Sequence, residues 1–454
     1  MVKIKPNNFS TNSQGTPVFI ITTFPQRFKD FFESIAKNLA KDASTRDYLW
    51  RFVLALACLE GRVSLTKITA FTGEWRTRQS IVRFLEGDWN EREVLLESAM
   101  TTLRLLGWKP GKPLYLALDD TQIQKRASVM EGVSKMFLHA EKRYANGHDV
   151  ILASIVYRGI AIPYAARLWT SKEACKKLQQ SGQSIKFQKM TELAADCVRS
   201  FPDVSSKVTV LFDSFYLCKE VIDACKEKGF FYLGPVKSNR LIKESKNAKR
   251  SKSKQVGSYS VGYLAEHGRL FNIEGTKVKH RIAGRICYLV KAGTVKLVFC
   301  RRQGDNKIVV LATNDLECGI KRVVNIYRNR WQIEVLFKSA KQNLGMGDYQ
   351  FLSRRAVDKY LHLVMVSHTF LTHLAYKELN EKRSEDAKKP ICLAGISKTR
   401  EHLRNMLLLD ELNTIQLKPK SKGTYRFMEE IRTKIAKALI GKECFVNLLE
   451  NISC

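Results

Sequence analysis

The chain has 454 residues, 44% of them hydrophobic and 27% charged, which suits two to four domains around a sizeable core. Its 77 Lys and Arg against 44 Asp and Glu leave a net charge of +33, and an excess this large points to a polyanionic partner, nucleic acid before a membrane surface. No segment approaches the roughly 20 apolar residues of a membrane span, the opening MVKIKPNNFSTNSQGTP has no signal-peptide run, and the eleven cysteines show neither a C-x-x-C pair nor zinc-ligand spacing, so they read as buried thiols in a reducing compartment.

Residues 27–105 carry apolar residues at three- and four-residue spacing, in RFKDFFESIAKNLAKD and YLWRFVLALACLEG, and read as helices. Within them VSLTKITAFTGEWRTRQSIVRFLEGDW (63–89) has the form helix, glycine-containing turn, helix. Its second helix carries Arg76, Arg78 and Arg83, the pattern of a helix-turn-helix DNA reader. After Pro113 the signal changes to short β-branched and aromatic runs: LYLALD (114–119), VILASIVY (150–157) and IPYAARLW (162–169). A helical stretch at 185–201, a strand KVTVLFD (207–213), a helix near 215–228 and a strand FFYLGPV (230–236) follow. This order predicts an α/β domain with a mixed sheet. Between 237 and 302 there are 17 Lys and Arg and 3 Asp and Glu, a balance of 17 − 3 = +14. KESKNAKRSKSKQ reads there as a solvated loop, with Lys249 and Arg250 as phosphate contacts, and YSVGYL, RICYLV and KLVFCRR as strands. KIVVLAT (307–313) is a further strand. From 319 onward the chain reads as helical, at 327–345, 355–379, 395–412 and 424–440.

Three acids stand out. LYLALDD closes an apolar strand on Asp119 and Asp120, and KVTVLFD closes another on Asp213. Each acid alone suits a turn or a helix cap. Together, at adjacent strand ends, Asp119 and Asp213 would repel unless a cation lay between them, and their oxygens suit Mg²⁺. In YRNRWQIEVLFKSAKQNLG (327–345), Tyr327, Arg330, Glu334 and Lys341 share one narrow face of a helix at ~100° per residue. Ile326, Ile333, Phe337, Ala340 and Leu344 form the adjoining apolar face. Glu334 can then complete an acid triad at the rim of the core, with Arg330, Lys338 and Lys341 around it as DNA contacts. The bland reading of Glu334 is a surface salt bridge to Lys338.

The spacing Y-x₂-R-x₃-E-x₆-K, matched at Tyr327, Arg330, Glu334 and Lys341, resembles the signature of a branch of bacterial insertion-sequence transposases with an Asp-Asp-Glu triad. LALDDT and VLFDSFY look like that family's two aspartate strands, and the similarity runs over about 110–355. The resemblance implies a ribonuclease-H-like catalytic core interrupted by a β-rich insertion and flanked by helical N- and C-terminal regions. The corresponding division is 1–105 (helical, DNA-binding), 106–236 (first part of the core), 237–312 (basic insertion), 313–380 (second part, with the Glu helix) and 381–454 (helical, basic). It further implies two Mg²⁺ or Mn²⁺ ions held by Asp119, Asp213 and Glu334, with Asp120 as the competing first ligand. Cut-and-paste movement would act on double-stranded DNA, at terminal inverted repeats and target, through a dimeric synaptic complex in the bacterial cytoplasm at the nucleoid. In relatives a Trp of the insertion stacks on a flipped base. This insertion has none, and Tyr263 and Tyr288 are the candidates in its place. A nuclease or resolvase on the same fold, or a transposase retained only for DNA binding, are the alternatives. Strand transfer separates the first from a transposase, and loss of a triad acid would mark the second.

Overall fold

The computed structural model describes residues 24–414, apart from 37–42, 73–76, 127–128, 139–140, 248–252 and 379–394, together with two short paired strands, β1 (Ser10–Thr11) and β2 (Pro17–Val18). Five helices come first: α1 (Lys29–Ala36), α2 (Ala43–Cys58), α3 (Leu65–Phe71), α4 (Arg78–Glu86) and α5 (Glu91–Leu105). Ser64, Thr77 and Asn90 start the last three by accepting a backbone N–H from Lys67, Ser80 and Glu93, which satisfies donors that a helix start leaves without partners. The second half of α2 is buried on every side, from Leu49 to Cys58, so it lies inside the molecule rather than on its surface.

The sheet begins with β3 (Leu114–Gln124), β4 (Ser134–Leu138), β5 (Arg143–Tyr157) and β6 (Ile160–Leu168). Next come α6 (Lys172–Gln180), α7 (Met190–Arg199), β7 (Val208–Phe212), α8 (Lys219–Glu227) and β8 (Phe231–Pro235). The basic segment supplies β9 (Leu241–Lys243), β10 (Lys254–Gln255), α9 (Val256–His267), β11 (Arg269–Phe271), β12 (His280–Leu289), β13 (Gly293–Arg302) and β14 (Ile308–Thr313). These strands form one twelve-stranded sheet in the order β10-β9-β12-β13-β14-β8-β7-β3-β5-β4, with β11 on β12 and β6 on β5. Only the β3–β7 and β7–β8 pairings in it are parallel. The sheet is therefore mixed, as expected, and the basic segment extends it rather than standing apart.

Alternation along β3 assigns its residues to two layers. Ala117 and Ile123 pack with α2, α11 (Trp331–Asn343) and α12 (Arg354–Glu378). Leu116 and Leu118 pack on the other face with α7 and α8. The chain ends, within the described residues, with α10 (Ile320–Tyr327), a 3-10 turn (Arg328–Arg330), α11, α12 and α13 (Ile396–Thr414). Gly345 takes a left-handed φ of 63° just after α11, a conformation that costs glycine little. The turn that follows is bonded on two sides. Lys125 Nζ donates to Gly347 O at 2.6 Å and Tyr349 O at 2.8 Å, and Val63 N donates to Asp348 Oδ2 at 2.7 Å.

Three local expectations need correction. YSVGYL lies in α9, not in a strand: Val256, Ser260 and Leu264 are its buried residues and Tyr259 stacks on Tyr263, a period of four rather than two. β3 does not stop at the aspartates; pairing with β5 continues to Gln124 opposite Gly147. The acids stand at a ladder's end on the β7 side alone, where pairing stops at Leu118 and Phe212. The segment 327–345 is not one helix either. α10 ends at Tyr327, and a 3-10 turn, in which Asn329 Nδ2 donates to Ile326 O, precedes α11. The expected helix at 424–440 lies outside the described residues. All eight described cysteines are free thiols, and all but Cys218 are buried.

Candidate active site

Because β3 and β7 are parallel and in register through Leu118 and Phe212, Asp119 and Asp213 are the next residues on neighbouring strands. Each is placed differently. Asp213 Oδ1 accepts the N–H of Phe215 at 2.7 Å and of Tyr216 at 3.4 Å, so the turn after β7 folds around this carboxylate. Asp119 meets the third acid through a cation: Arg330 Nη1 donates to Asp119 Oδ2 at 2.7 Å, and Arg330 Nη2 donates to Glu334 Oε1. The side chains of Arg330 and Asp119 are 17% and 18% exposed, so this pairing is largely withdrawn from water and its electrostatics are weakly screened.

Burial pushes the Asp119 carboxyl up to about 7. Arg330 pulls it down, whereas Asp120 and Asp213 push it further up. For Arg330, burial works against the charge, but Tyr327, Asp119 and Glu334 outweigh it and raise its pKa. Tyr327, pushed up to about 12 by burial, shares a hydrogen bond with Arg330. Lys341 Nζ donates to Gln122 O at 2.9 Å and so ties α11 to β3. Of the four spaced positions, Arg330 and Lys341 bond β3 directly, and Glu334 and Tyr327 bond Arg330. Ile333, Phe337, Ala340 and Leu344 are buried beneath them, the apolar face the spacing predicts.

Lys338 is placed elsewhere, along a groove of about 550 Å³ with Val335, Gln342 and His368. Among the described residues the ion pair of Glu334 is with Arg330, four residues earlier, rather than with Lys338. Arg78 opens α4 and lines a separate cavity of about 130 Å³ beside Asp348 and Tyr349. Arg76, Lys249 and Arg250 lie outside the described residues. Tyr263 donates to Gly284 O at 3.1 Å and packs on Phe299, so core packing engages it.

Sequence patterns left two residues unmarked. Tyr216, fully buried, donates to Asp120 Oδ1 at 2.6 Å, so Asp120 is held on the face of β3 opposite Asp119. Asp149, opposite Gln122 across β3 and β5, is pushed up to about 6 by burial and by Asp120. Its Oδ1 has no hydrogen-bond partner among the described residues. The available signals were an aromatic three residues past an Asp and a charged residue heading an apolar strand.

Among the described residues no three His, Cys, Asp or Glu side chains converge closely enough to hold a metal ion. The Arg330 guanidinium instead stands between Asp119 and Glu334, where it serves as their cation. The donor set itself fits a hard divalent ion, being carboxylate oxygen throughout. The raised Asp119 carboxyl is the state that a bound cation relieves.

An α/β fold with two aspartates on adjacent parallel strands and a glutamate helix across them defines a class of nucleases built on a ribonuclease-H-like core. The model of the DDE superfamily endonucleases matches residues 31–259, half of the chain, and includes Asp119 and Asp213. The transposase DDE domain matches residues 189–370 and includes Asp213 and Glu334. The chain belongs to the DDE superfamily endonucleases, and it is a transposase-type nuclease. Enzymes of this superfamily generally use divalent metals. A search of curated proteins gives no match. No described helix is long and apolar enough to cross a membrane.

Proposed function

We propose that the protein is an insertion-sequence DNA transposase of the Y-x₂-R-x₃-E-x₆-K branch, which cuts at the ends of its element and joins the 3′-hydroxyl to target DNA. Asp119, Asp213 and Glu334 would hold two Mg²⁺ or Mn²⁺ ions, and Asp120, engaged by Tyr216, would not be a ligand. Once bound, such ions supply Lewis-acid activation of the attacking oxygen and neutralise the leaving oxygen. The chain's own residues do the positioning. β3 and β7 present the aspartates side by side, and the apolar face of α11 fixes the height of Glu334 over them. Arg330, relieved of its two carboxylates, turns its guanidinium to a phosphate of the element's end, a charge-assisted contact, with Tyr327 and Lys341 beside it. Lys338, Arg76, Arg78, Lys249 and Arg250 extend the grip on double-stranded DNA, in a dimer that joins two ends within the bacterial nucleoid. The division at 105, 236, 312 and 380 would then separate recognition, core, insertion and C-terminal region.

The observation that carries this reading is the Arg330 guanidinium bonded to both Asp119 and Glu334, which brings one acid from each family-matched region to one point. Glu334→Gln tests it. The variant should fold, since both residues favour helix, and bind element-end DNA at least as tightly. Mg²⁺-dependent cleavage and strand transfer should both fall by orders of magnitude. Near-normal cleavage by the variant would remove the catalytic assignment, and cleavage by the wild type without joining would leave a nuclease.

A further inference from the structure

β5 outruns its neighbour. β3 ends at Gln124 opposite Gly147, while β5 continues back to Arg143 and pairs there with β4, Phe137 opposite Tyr144. Beyond the site the sheet thus narrows to a two-stranded ribbon. Alternation places Lys135, Phe137, Tyr144 and Asn146 on one face of it, the face shared by His148, Val150 and Leu152, and Leu152 is opposite Asp119. That is the face on which α11 lies. The ribbon leaves large aromatic surface in water: Phe137 is 37% and Tyr144 63% exposed. Their rings meet edge to face with centroids 5.2 Å apart, and Lys135 Nζ lies 5.2 Å from the Tyr144 ring centroid. Lys142, in the turn at a φ of 50°, adds a second exposed cation. Arg143 is occupied by Glu141 and Gln124. Water-facing aromatics of this kind, set among cations in a chain of net charge +33, suit contact with a polyanion.

We propose that the β4–β5 ribbon is a second DNA contact, entering the major groove of the duplex that the active site cuts. A two-stranded ribbon fits that groove; Lys135 and Lys142 would meet phosphates, and Phe137 and Tyr144 the apolar edges of the bases. Tyr144 lies 152 − 144 = 8 residues along β5 from the partner of Asp119, or about 27 Å at ~3.4 Å per residue. With the duplex axis lying along β5, at ~3.4 Å per base pair, the contact would fall about 8 base pairs from the cut phosphodiester.

This inference rests on the reading of the protein as a DNA-cutting enzyme, and its test separates the two. Full-length protein is titrated onto a fluorescein-labelled mixed-sequence duplex in EDTA across a salt series, with sedimentation velocity and thermal melting of each variant alongside. Lys135→Ala combined with Lys142→Ala should lower the slope of log affinity against log salt by about 2, one for each phosphate contact. Tyr144→Ser, which changes no charge, should weaken binding several-fold at every salt concentration and leave the slope alone. Wild-type slope and affinity in both folded variants would overturn the ribbon contact while leaving the transposase reading intact. Loss of a dimer in Tyr144→Ser with unchanged DNA affinity would also overturn it, assigning the ribbon and its β4 edge to a second copy of the chain. Failure of the wild type to bind the duplex would sink both.

Discussion

Replacing Asp119 by Asn should make the metal-free protein more stable at pH 8. The folded state raises this carboxyl from its ordinary value near 4 to about 7, chiefly through burial. A raised acid favours the folded state most when protonated. Its contribution is complete below pH 4 and is lost as pH rises through 7. At ~1.4 kcal/mol for each tenfold change in proton affinity, the loss amounts to about 4 kcal/mol by pH 8, with the pull of Arg330 already contained in the net rise. Asn has the shape of the protonated acid and cannot ionise. The variant should therefore match the wild type near pH 4 and exceed it at pH 8 by as much as about 4 kcal/mol, measured by urea unfolding in EDTA. The comparison must be between the two proteins at each pH. His148, His368 and His373, each pushed down to about 4 by burial, lose stability as pH falls from ~6.5 and mask the trend in either protein alone. Added Mg²⁺ should then stabilise the wild type at pH 8 more than the variant. A variant equal to or weaker than the wild type at pH 8 would show that the carboxylate is not strained, and the case for a cation at Asp119 would lose its electrostatic basis.

Two further outcomes follow from packing. Tyr216→Phe removes the 2.6 Å donor of half-buried Asp120 and should cost about 0.5–1.5 kcal/mol by the same unfolding assay, whereas Asp120→Asn, which keeps an acceptor, should cost less; equal losses would discount the bond. Ile333→Ala empties a fully buried position under the Glu334 helix and should cost about 2–5 kcal/mol, with cleavage falling further than DNA affinity; a cost below ~1 kcal/mol would mean that α11 is not anchored there.

Much of the candidate site's local structure was legible because its parts are local patterns. Apolar runs interrupted by Asp119 and Asp213 marked strands whose acids could not be core, and the spacing around Glu334 separated an apolar face from a polar one. That spacing could not foretell the 3-10 turn at Arg328–Arg330, since a helical period does not distinguish an α-helix from one tightened over a single turn. Nor could it tell Asp119 from Asp120: alternation says that they point to opposite faces, but which face carries α11 is decided by long-range packing. YSVGYL misled for a related reason. β-branched and aromatic residues satisfy a strand's preference, yet their spacing of four buries Val256, Ser260 and Leu264 along one helical stripe. Tyr216 escaped notice because its partner is distant in the chain and near only in the fold.

The turn after α11 joins three otherwise separate parts of the chain. Asp348 accepts from Val63 in the N-terminal helical region, and the carbonyls on either side of Asp348 are held by Lys125 at the end of β3. A chain trimmed to begin after α5 would lose more than its first helices. It would strand Asp348 without that donor and leave the far end of the Glu334 helix held by Lys125 and by Tyr360, which donates to Gly345 O. Equally, a shift of the N-terminal helices would reach the end of α11 through the Val63–Asp348 bond. The N-terminal helices and α11 thus share one fastening at Asp348, and exchanging either for that of a relative without the other should loosen the helix that carries Glu334.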